Sequence, residues 1–175
     1  TEGMAWGVGE WTDGPLFIDV VTIALVKMAP NMPPEFLADR GLLYFGENFS
    51  VDDIKANYDD YDGFVVLHGT DTMAYTSSAL SFMFENLSKP VIVTGSQIPL
   101  SQLRSDGQVN VLNALYIAAN YPISEVSLFF NNKLYRGNRC IKAYADGFNA
   151  FDSPNMPVLL EAGINIQLVA GTLIN

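Results

Sequence analysis

Residues 64–95 read FVVLHGTDTMAYTSSALSFMFENLSKPVIVTG and contain a complete strand–helix–strand pattern. The continuous apolar run 64–67 is typical of a strand that is buried on both faces of a sheet. A polar turn follows, and apolar spacing then predicts a helix over 74–87 that ends before Pro90. Residues 91–94 predict a second buried strand. A helix that joins two such strands favours a right-handed crossover, so we expect the strands to be parallel neighbours.

The same alternation continues on both sides of this unit. Downstream, apolar periodicity predicts a helix over 109–120, capped by Ser105 or Asp106, and residues 125–130 predict a third buried strand. Upstream, Ser50 is a suitable N-cap for a short helix, because acidic residues follow it in the first turn. This βαβαβ order predicts an α/β fold in which a parallel sheet carries helices on both faces.

We assign residues 51–175 to this α/β core and treat residues 1–50 as an atypical N-terminal segment of uncertain role, within a single domain overall. Glycines and prolines are scattered through the segment. Residues 16–28 are apolar enough for a buried strand or a short helix, and periodicity does not distinguish the two. Residues 33–35 suit the first turn of a helix, where proline is tolerated, and residues 42–45 suit a strand.

Composition restricts the classes of protein to which the chain can belong. Of its 175 residues 49% are hydrophobic and 16% are charged, so it has ample apolar surface to bury and global disorder is excluded. The apolar excess also suggests that a partner covers part of the surface, most simply another copy of the chain. Nine basic and 19 acidic residues give a net charge of −10, which argues against a nucleic-acid partner.

The single cysteine and the lack of a recognisable targeting signal are used to predict the cellular compartment. The single cysteine, Cys140, excludes an internal disulfide. The first residues lack the basic and apolar regions of a signal peptide, and no apolar run approaches the ~20 residues of a spanning helix. We therefore expect a cytoplasmic protein without a membrane partner.

Candidate chemistry lies where the predicted strands end, at the edge where open α/β sheets bind ligands. Thr70 is a candidate nucleophile, and it needs a base, because a hydroxyl is inert at neutral pH. Lys142 is the basic residue nearest a predicted strand end and would take the proton. Asp71 would orient Lys142 and balance its charge.

Each candidate also has a structural interpretation that the residues alone leave open. Thr70 would then be the N-cap of the following helix, with Asp71 in its first turn. His68, the one histidine, suits a buried and hydrogen-bonded strand end better than a general base, and a metal site would need further ligands. Ser96 either binds substrate or caps a turn.

Three sequence blocks carry a resemblance to a known family. They are VVLHGTDTM at 65–73, TGSQIP at 94–99 and NRCIKA at 138–143. In this order and combination they resemble the bacterial-type L-asparaginases, specifically the cytoplasmic type I branch. The similarity runs from about residue 54 to residue 166, some two-thirds of the chain, and implies the fold of the asparaginase N-terminal domain.

The resemblance implies an amidohydrolase that converts L-asparagine to L-aspartate and ammonia with no metal or organic cofactor. In that family the threonine and aspartate of the HGTDTM block pair with the downstream lysine, which maps the catalytic group onto Thr70, Asp71 and Lys142. The implied partner is a small amino-acid substrate. The residues expected to contact it are Gly69, Thr70, Asp71, Ser96 and Gln97.

Two family elements have no counterpart in the chain. The TGGTIG loop, whose threonine is the usual first nucleophile, and the DSS element that grips the substrate are both missing, although residues 1–4 weakly echo TIGM. The smaller C-terminal domain, through which neighbouring subunits complete each other's sites, is also missing. We therefore expect a homo-oligomeric protein of which this chain is a fragment, chimera or remnant, with hydrolysis little above background.

Two competing hypotheses accompany the hydrolase. One is a non-catalytic or truncated scaffold that binds an amino acid or only self-associates. The other takes Thr1 as an N-terminal nucleophile whose own amine is the base. Release of ammonia on addition of asparagine separates the hydrolase from the non-catalytic scaffold.

Overall fold

The computed structural model describes residues 51–169 and the backbone of two earlier strands, 22–26 and 44–45. The helices are α1 (Val51–Asn57), α2 (Met73–Met83) and α3 (Gly107–Asn120), with a 3-10 turn at Gly137–Arg139. The strands are β1 (Thr22–Val26), β2 (Tyr44–Phe45), β3 (Gly63–Leu67), β4 (Val91–Thr94), β5 (Val126–Phe130), β6 (Lys133–Arg136), β7 (Ile141–Lys142), β8 (Phe151–Asp152), β9 (Leu160–Ala162) and β10 (Ile166–Leu168). None of the described helices is long and apolar enough to cross a membrane.

Eight of these strands form one sheet in the order β10-β9-β6-β5-β4-β3-β1-β2, and β7 pairs with β8 separately. The three predicted strands are confirmed as parallel neighbours, with Val65 opposite Ile92 and Ile92 opposite Ser127. All other pairs in the sheet are antiparallel, so the sheet is mixed around a parallel centre.

The change from parallel to antiparallel pairing begins at a two-residue turn. Asn131 and Asn132 both have positive φ, 46° and 64°, and join β5 to β6 directly. Positive φ at both central residues is the geometry of a tight β-hairpin, which forces the two strands to run antiparallel. An Asn-Asn pair between two apolar runs is the local sequence signal for this turn.

Several boundaries differ from those predicted. The helix predicted over 74–87 ends at Met83, because the chain turns extended at Phe84 and left-handed at Asn86, whose φ is 55°. The helix predicted over 109–120 begins two residues earlier, at Gly107. Within the open choice at 16–28, residues 22–26 form a strand, β1, and within the strand expected at 42–45, residues 44–45 form β2; the rest of both ranges lies outside the described residues. The helix suggested at 33–35 lies outside the described residues.

Helices cover both faces of the sheet, as predicted. On one face α1 and α2 pack against Phe64, Val66 and Leu128; on the other, α3 packs against Val65 and Phe129. Successive strand residues alternate between the two layers because side chains in a strand point to opposite faces. Each fully buried side chain of this size contributes roughly 1.5–3 kcal/mol relative to an exposed one. The sheet is thereby a rigid support for the loops at its edge.

The ends of β3 and β4 are held unusually close together. The His68 amide donates to the Thr94 carbonyl at 2.8 Å, and the Thr94 hydroxyl donates to the Phe129 carbonyl of β5 at 2.8 Å. A Cβ atom at Gly95 would lie 2.1 Å from the His68 carbonyl oxygen, so a side chain cannot be placed there without movement of the backbone. Because Gly95 has no side chain, the loops that follow β3 and β4 can leave the sheet side by side.

Candidate active site

The loop after β3 begins with a buried histidine that has a structural role. His68 is 6% exposed, and its Nδ1 lies 2.7 Å from the Gly69 carbonyl oxygen. Since a carbonyl oxygen only accepts, Nδ1 carries the proton, and in the neutral ring Nε2 accepts from the Thr76 hydroxyl at 2.9 Å. The prediction of a hydrogen-bonded strand-end histidine is confirmed, and these bonds tie Gly69 to helix α2.

Thr70 points its hydroxyl away from that helix. Its Oγ1 donates to the Gln97 Oε1 at 2.8 Å and accepts from the Lys142 Nζ at 2.9 Å. Helix α2 begins three residues later, at Met73, and its N-cap residue is Thr72, which makes no side-chain capping bond. The alternative interpretation of Thr70 as a helix cap is therefore wrong.

Lys142 reaches Thr70 from a separate part of the chain. It lies in β7, which pairs with β8, and its Nζ is 2.5 Å from the Asp71 Oδ1. The Lys142 side chain is 20% exposed and that of Asp71 is 72% exposed. The three side chains predicted to form one centre thus meet, although Lys142 is separated from Thr70 by 72 positions. A hydroxyl, an amine and a carboxylate thus lie in direct sequence, an arrangement that can activate a hydroxyl.

Gln97 is the second partner of Thr70, and its amide group is almost fully occupied. Its Nε2 donates to the carbonyl oxygens of Ala145 at 2.9 Å and Gly147 at 3.0 Å, while its Oε1 accepts from Thr70. No donor of this amide is left for a substrate. If Gln97 contacts substrate as predicted, it can do so only through the second lone pair of Oε1 or through the aliphatic part of its side chain.

Asp106 is one of the two residues predicted to cap α3, the other being Ser105, but its carboxylate binds other groups. It accepts from the backbone amides of Gln97 (3.0 and 3.1 Å) and Ile98 (3.0 Å) and from the Asn110 Nδ2 at 3.2 Å. Asp106 does occupy the N-cap position of α3, but in helical conformation and without a side-chain capping bond; Ser105 Oγ accepts from the Gly107 amide instead. Asp106 fixes the loop that carries Gln97, and the sequence offered no signal for this, because capping explains an aspartate before a helix equally well.

The remaining predicted site residues border the same centre. Ser96 is half-buried beside Gln97, and within residues 51–169 its hydroxyl makes no hydrogen bond, so it is available to a ligand. Gly69 lies between His68 and Thr70 and is half-buried. In the part of the chain that the structure describes, no group of three or more His, Cys, Asp or Glu side chains could hold a metal ion. Whether the reaction needs a cofactor remains a prediction from the resemblance.

Comparison with known proteins gives the geometry a context. The family model "Asparaginase, N-terminal" matches residues 49–172. The chain is 80% identical over 117 residues to L-asparaginase 1 of Escherichia coli K12, covering 67% of this chain and 35% of the relative. It therefore spans about a third of the length of that curated relative.

Two solved structures share the arrangement of the sheet. The L-asparaginase I of Vibrio cholerae is 76% identical with a TM-score of 0.68, over 70% of this chain and 37% of its own. A protein described as a probable cytoplasmic L-asparaginase of Campylobacter jejuni is 26% identical with a TM-score of 0.63, over 70% and 40%.

Proposed function

The chain belongs to the asparaginase N-terminal-domain family, and from that premise we propose that it supplies the catalytic centre of an amidohydrolase that converts L-asparagine to L-aspartate and ammonia. One observation carries the proposal. The Lys142 Nζ lies 2.9 Å from the Thr70 Oγ1 and 2.5 Å from the Asp71 Oδ1. A hydroxyl, a nitrogen base and a carboxylate in direct contact form the activated-nucleophile arrangement of acyl transfer.

The reaction then proceeds in two acyl transfers. The Thr70 hydroxyl turns from Gln97 toward Lys142, which acts as the base and takes its proton while the Thr70 Oγ1 bonds to the side-chain amide carbon of asparagine. The C–N bond breaks, the nitrogen receives that proton from Lys142, and ammonia leaves. Water attacks the resulting aspartyl ester, one of its protons returns through Lys142 to Thr70, and L-aspartate is released. Asp71 stabilises Lys142 while it holds the proton.

The proposed contact with substrate is supported by the groups at this edge of the sheet that are open to a ligand. The free hydroxyl of Ser96 and the backbone at Gly69 border Thr70, and the exposed carboxylate of Asp71 suits the α-amino group of an amino acid. Partly buried hydrogen bonds of Gln97 and Asp106 hold the loops around these groups, so these loops are ordered before substrate arrives. A small amino acid is the partner that fits this combination.

We also propose cytoplasmic location and a homo-oligomeric state. The name of the Campylobacter jejuni relative supports the first. The second is supported by large apolar side chains exposed on two helices, among them Phe82 at 74% and Leu112 at 66%. Burial of such side chains against a second copy is favourable.

The test is ammonia release from L-asparagine by the protein. Thr70→Val and Lys142→Met should each lower kcat at least ~10²-fold, in line with the loss of a proton-transfer group. Lys133→Met, at an exposed lysine of β6, is the matched control and should leave the rate unchanged. Equal rates in wild type and Thr70→Val would refute the proposal, and binding of L-aspartate without any turnover would favour the non-catalytic scaffold.

A further inference from the structure

The amide of Gln97 is oriented by two backbone carbonyls. The Ala145 and Gly147 oxygens lie 2.9 and 3.0 Å from the same atom of the amide, and a carbonyl oxygen only accepts hydrogen bonds. That atom must therefore be the nitrogen, which places the amide oxygen toward Thr70. The orientation follows from chemistry at three contacts and leaves no alternative assignment.

This orientation determines where the Thr70 proton points. Since the Gln97 Oε1 has no proton, Thr70 must donate across the 2.8 Å contact between them. The lone pairs of the Thr70 Oγ1 are then directed at the Lys142 Nζ, 2.9 Å away on the other side. In the resting state the hydroxyl proton is held away from the base and the oxygen is held toward it.

The same amide also holds the loop that follows Lys142. This β7–β8 loop, residues 143–150, is closed at its base by the amides of Ala143 and Tyr144, which donate to the Ala150 carbonyl at 2.8 and 3.1 Å. Its middle is held by the two bonds from Gln97. Because Lys142 immediately precedes the loop, Gln97 connects the position of the base with the position of the nucleophile.

We propose that Gln97 is a positioning residue that sets the direction of the Thr70 proton with its amide oxygen and the position of the Lys142-bearing loop with its amide nitrogen. This rests on the proposed function only in naming Thr70 and Lys142 as nucleophile and base. No other side chain type of this size does both tasks. Glutamate keeps the acceptor and loses both donors, leucine loses everything, and asparagine is one methylene shorter.

Two substitutions separate the two tasks. Gln97→Leu removes acceptor and donors, whereas Gln97→Glu retains an oxygen for Thr70 and sets a carboxylate against two carbonyls. Gln102→Leu, at an exposed glutamine in the same inter-element loop, is the matched control. Gln97→Asn replaces the leucine variant if that one does not fold, because it preserves the polarity of the site.

The primary measurement does not depend on turnover. Exchange of the Thr70 hydroxyl proton is followed by NMR through the deuterium isotope shift on its Cβ, and exchange of the amides of 145–149 is followed in the same samples. Loss of one ordinary hydrogen bond should accelerate hydroxyl exchange about threefold to tenfold in Gln97→Leu. In Gln97→Glu the hydroxyl should exchange as slowly as in wild type while the loop amides accelerate, and Gln102→Leu should change neither.

Activity is the second measurement and separates this inference from the proposed function. If asparagine is hydrolysed, Gln97→Leu should lower kcat about tenfold with KM changed less, since the loop that follows the base Lys142 loses both bonds from Gln97. An unchanged Thr70 hydroxyl exchange in folded Gln97→Leu overturns the inference, whatever the activity. A wild-type protein without activity, in which the exchange pattern is as expected, refutes the proposed function and leaves the positioning role supported.

Discussion

Gly95 lies at the active-site edge of the sheet and has no space for a side chain. The nearest atoms to a Cβ placed there are the His68 carbonyl oxygen at 2.1 Å and the Met73 methyl carbon at 2.8 Å. The methyl of a flexible methionine can move, but the carbonyl belongs to the backbone that leads to Thr70. The absence of a side chain at this position is therefore required by the close approach of two loops.

Substitution of Gly95 by alanine should destabilise the fold and disturb the site together. We expect Gly95→Ala to lower the free energy of unfolding by roughly 1–3 kcal/mol, the usual range for overpacking, as measured by urea denaturation. Gly163→Ala is the control, because its Cβ would meet only the Asn165 carbonyl oxygen at 3.5 Å. Equal free energies of unfolding in the two variants would contradict this prediction, because they would mean that the backbone at 68–70 can shift without loss of stability.

At the scale of elements, the loop between β4 and α3 is ordered by the residue that begins α3. Asp106 accepts from two successive backbone amides, those of Gln97 and Ile98, and from the Asn110 side chain one turn into the helix. Asn110, itself 2% exposed, donates to the Gly95 carbonyl at 2.9 Å. The start of the helix thus holds the end of β4 and the loop together as one unit.

Asp106→Asn should loosen that unit. An amide has one oxygen for the three donors that now share a carboxylate, and hydrogen bonds to a charged group contribute about 1.5–3 kcal/mol in ordinary cases. We expect a loss of unfolding free energy of that order and faster amide exchange at Gln97 and Ile98. Asp146→Asn, an exposed aspartate in the β7–β8 loop, is the control; exchange at Gln97 that stays as slow as in wild type would contradict the assignment.

At the scale of the whole molecule, two buried acids couple folding to alkaline pH. Burial raises the pKa of Cys140 from 9.0 to about 12. Burial, and then the charge of Asp152, raises the pKa of Tyr135 from 10.0 to about 12. Both groups keep their protons in the folded chain over a range in which the unfolded chain loses them.

Stability should therefore decline as the pH rises above about 9. Between pH 9 and 12 the unfolded state binds fewer protons than the native state, so the free energy of unfolding falls with pH. Each group contributes a slope of up to about 1.4 kcal/mol per pH unit above its unfolded pKa. Urea denaturation of wild type and Cys140→Ala from pH 7 to 11 measures this, and identical slopes in the two proteins would contradict the role of the thiol.

Exposed apolar side chains determine how copies of the molecule should behave toward each other. Tyr75, Phe82 and Met83 are 77%, 74% and 56% exposed on α2. Positions 75 and 82 are two helical turns apart and therefore lie on one side of α2, where exposed apolar side chains favour association. Light scattering should detect species larger than one chain, and the double substitution Tyr75→Ser and Phe82→Ser should shift the population toward the monomer. A wild-type protein that is monomeric at all accessible concentrations would exclude the homo-oligomer.

Much of the molecule follows from local patterns. The runs 64–67, 91–94 and 126–130 are apolar enough to be buried on both faces, and helical segments between them leave parallel pairing as the one simple connection. A hydroxyl, a carboxylate and a lysine at predicted strand ends make Thr70, Asp71 and Lys142 candidates from the sequence alone. Burial and strand direction are properties of a few consecutive residues, which is why a sequence displays them.

The partners of Gln97 and Asp106 are a different kind of information. Gln97 contacts residues 27 positions before it and 48 and 50 positions after it, and the direction of its amide depends on all three. An aspartate at the position of Asp106 would cap the helix if only local residues were present. In the folded chain its carboxylate instead accepts from the backbone amides of Gln97 and Ile98, which the turn after β4 brings near it. Hydrogen bonds between distant loops exist only once the sheet has placed those loops side by side, so folding, and no local pattern, determines where the Thr70 proton points.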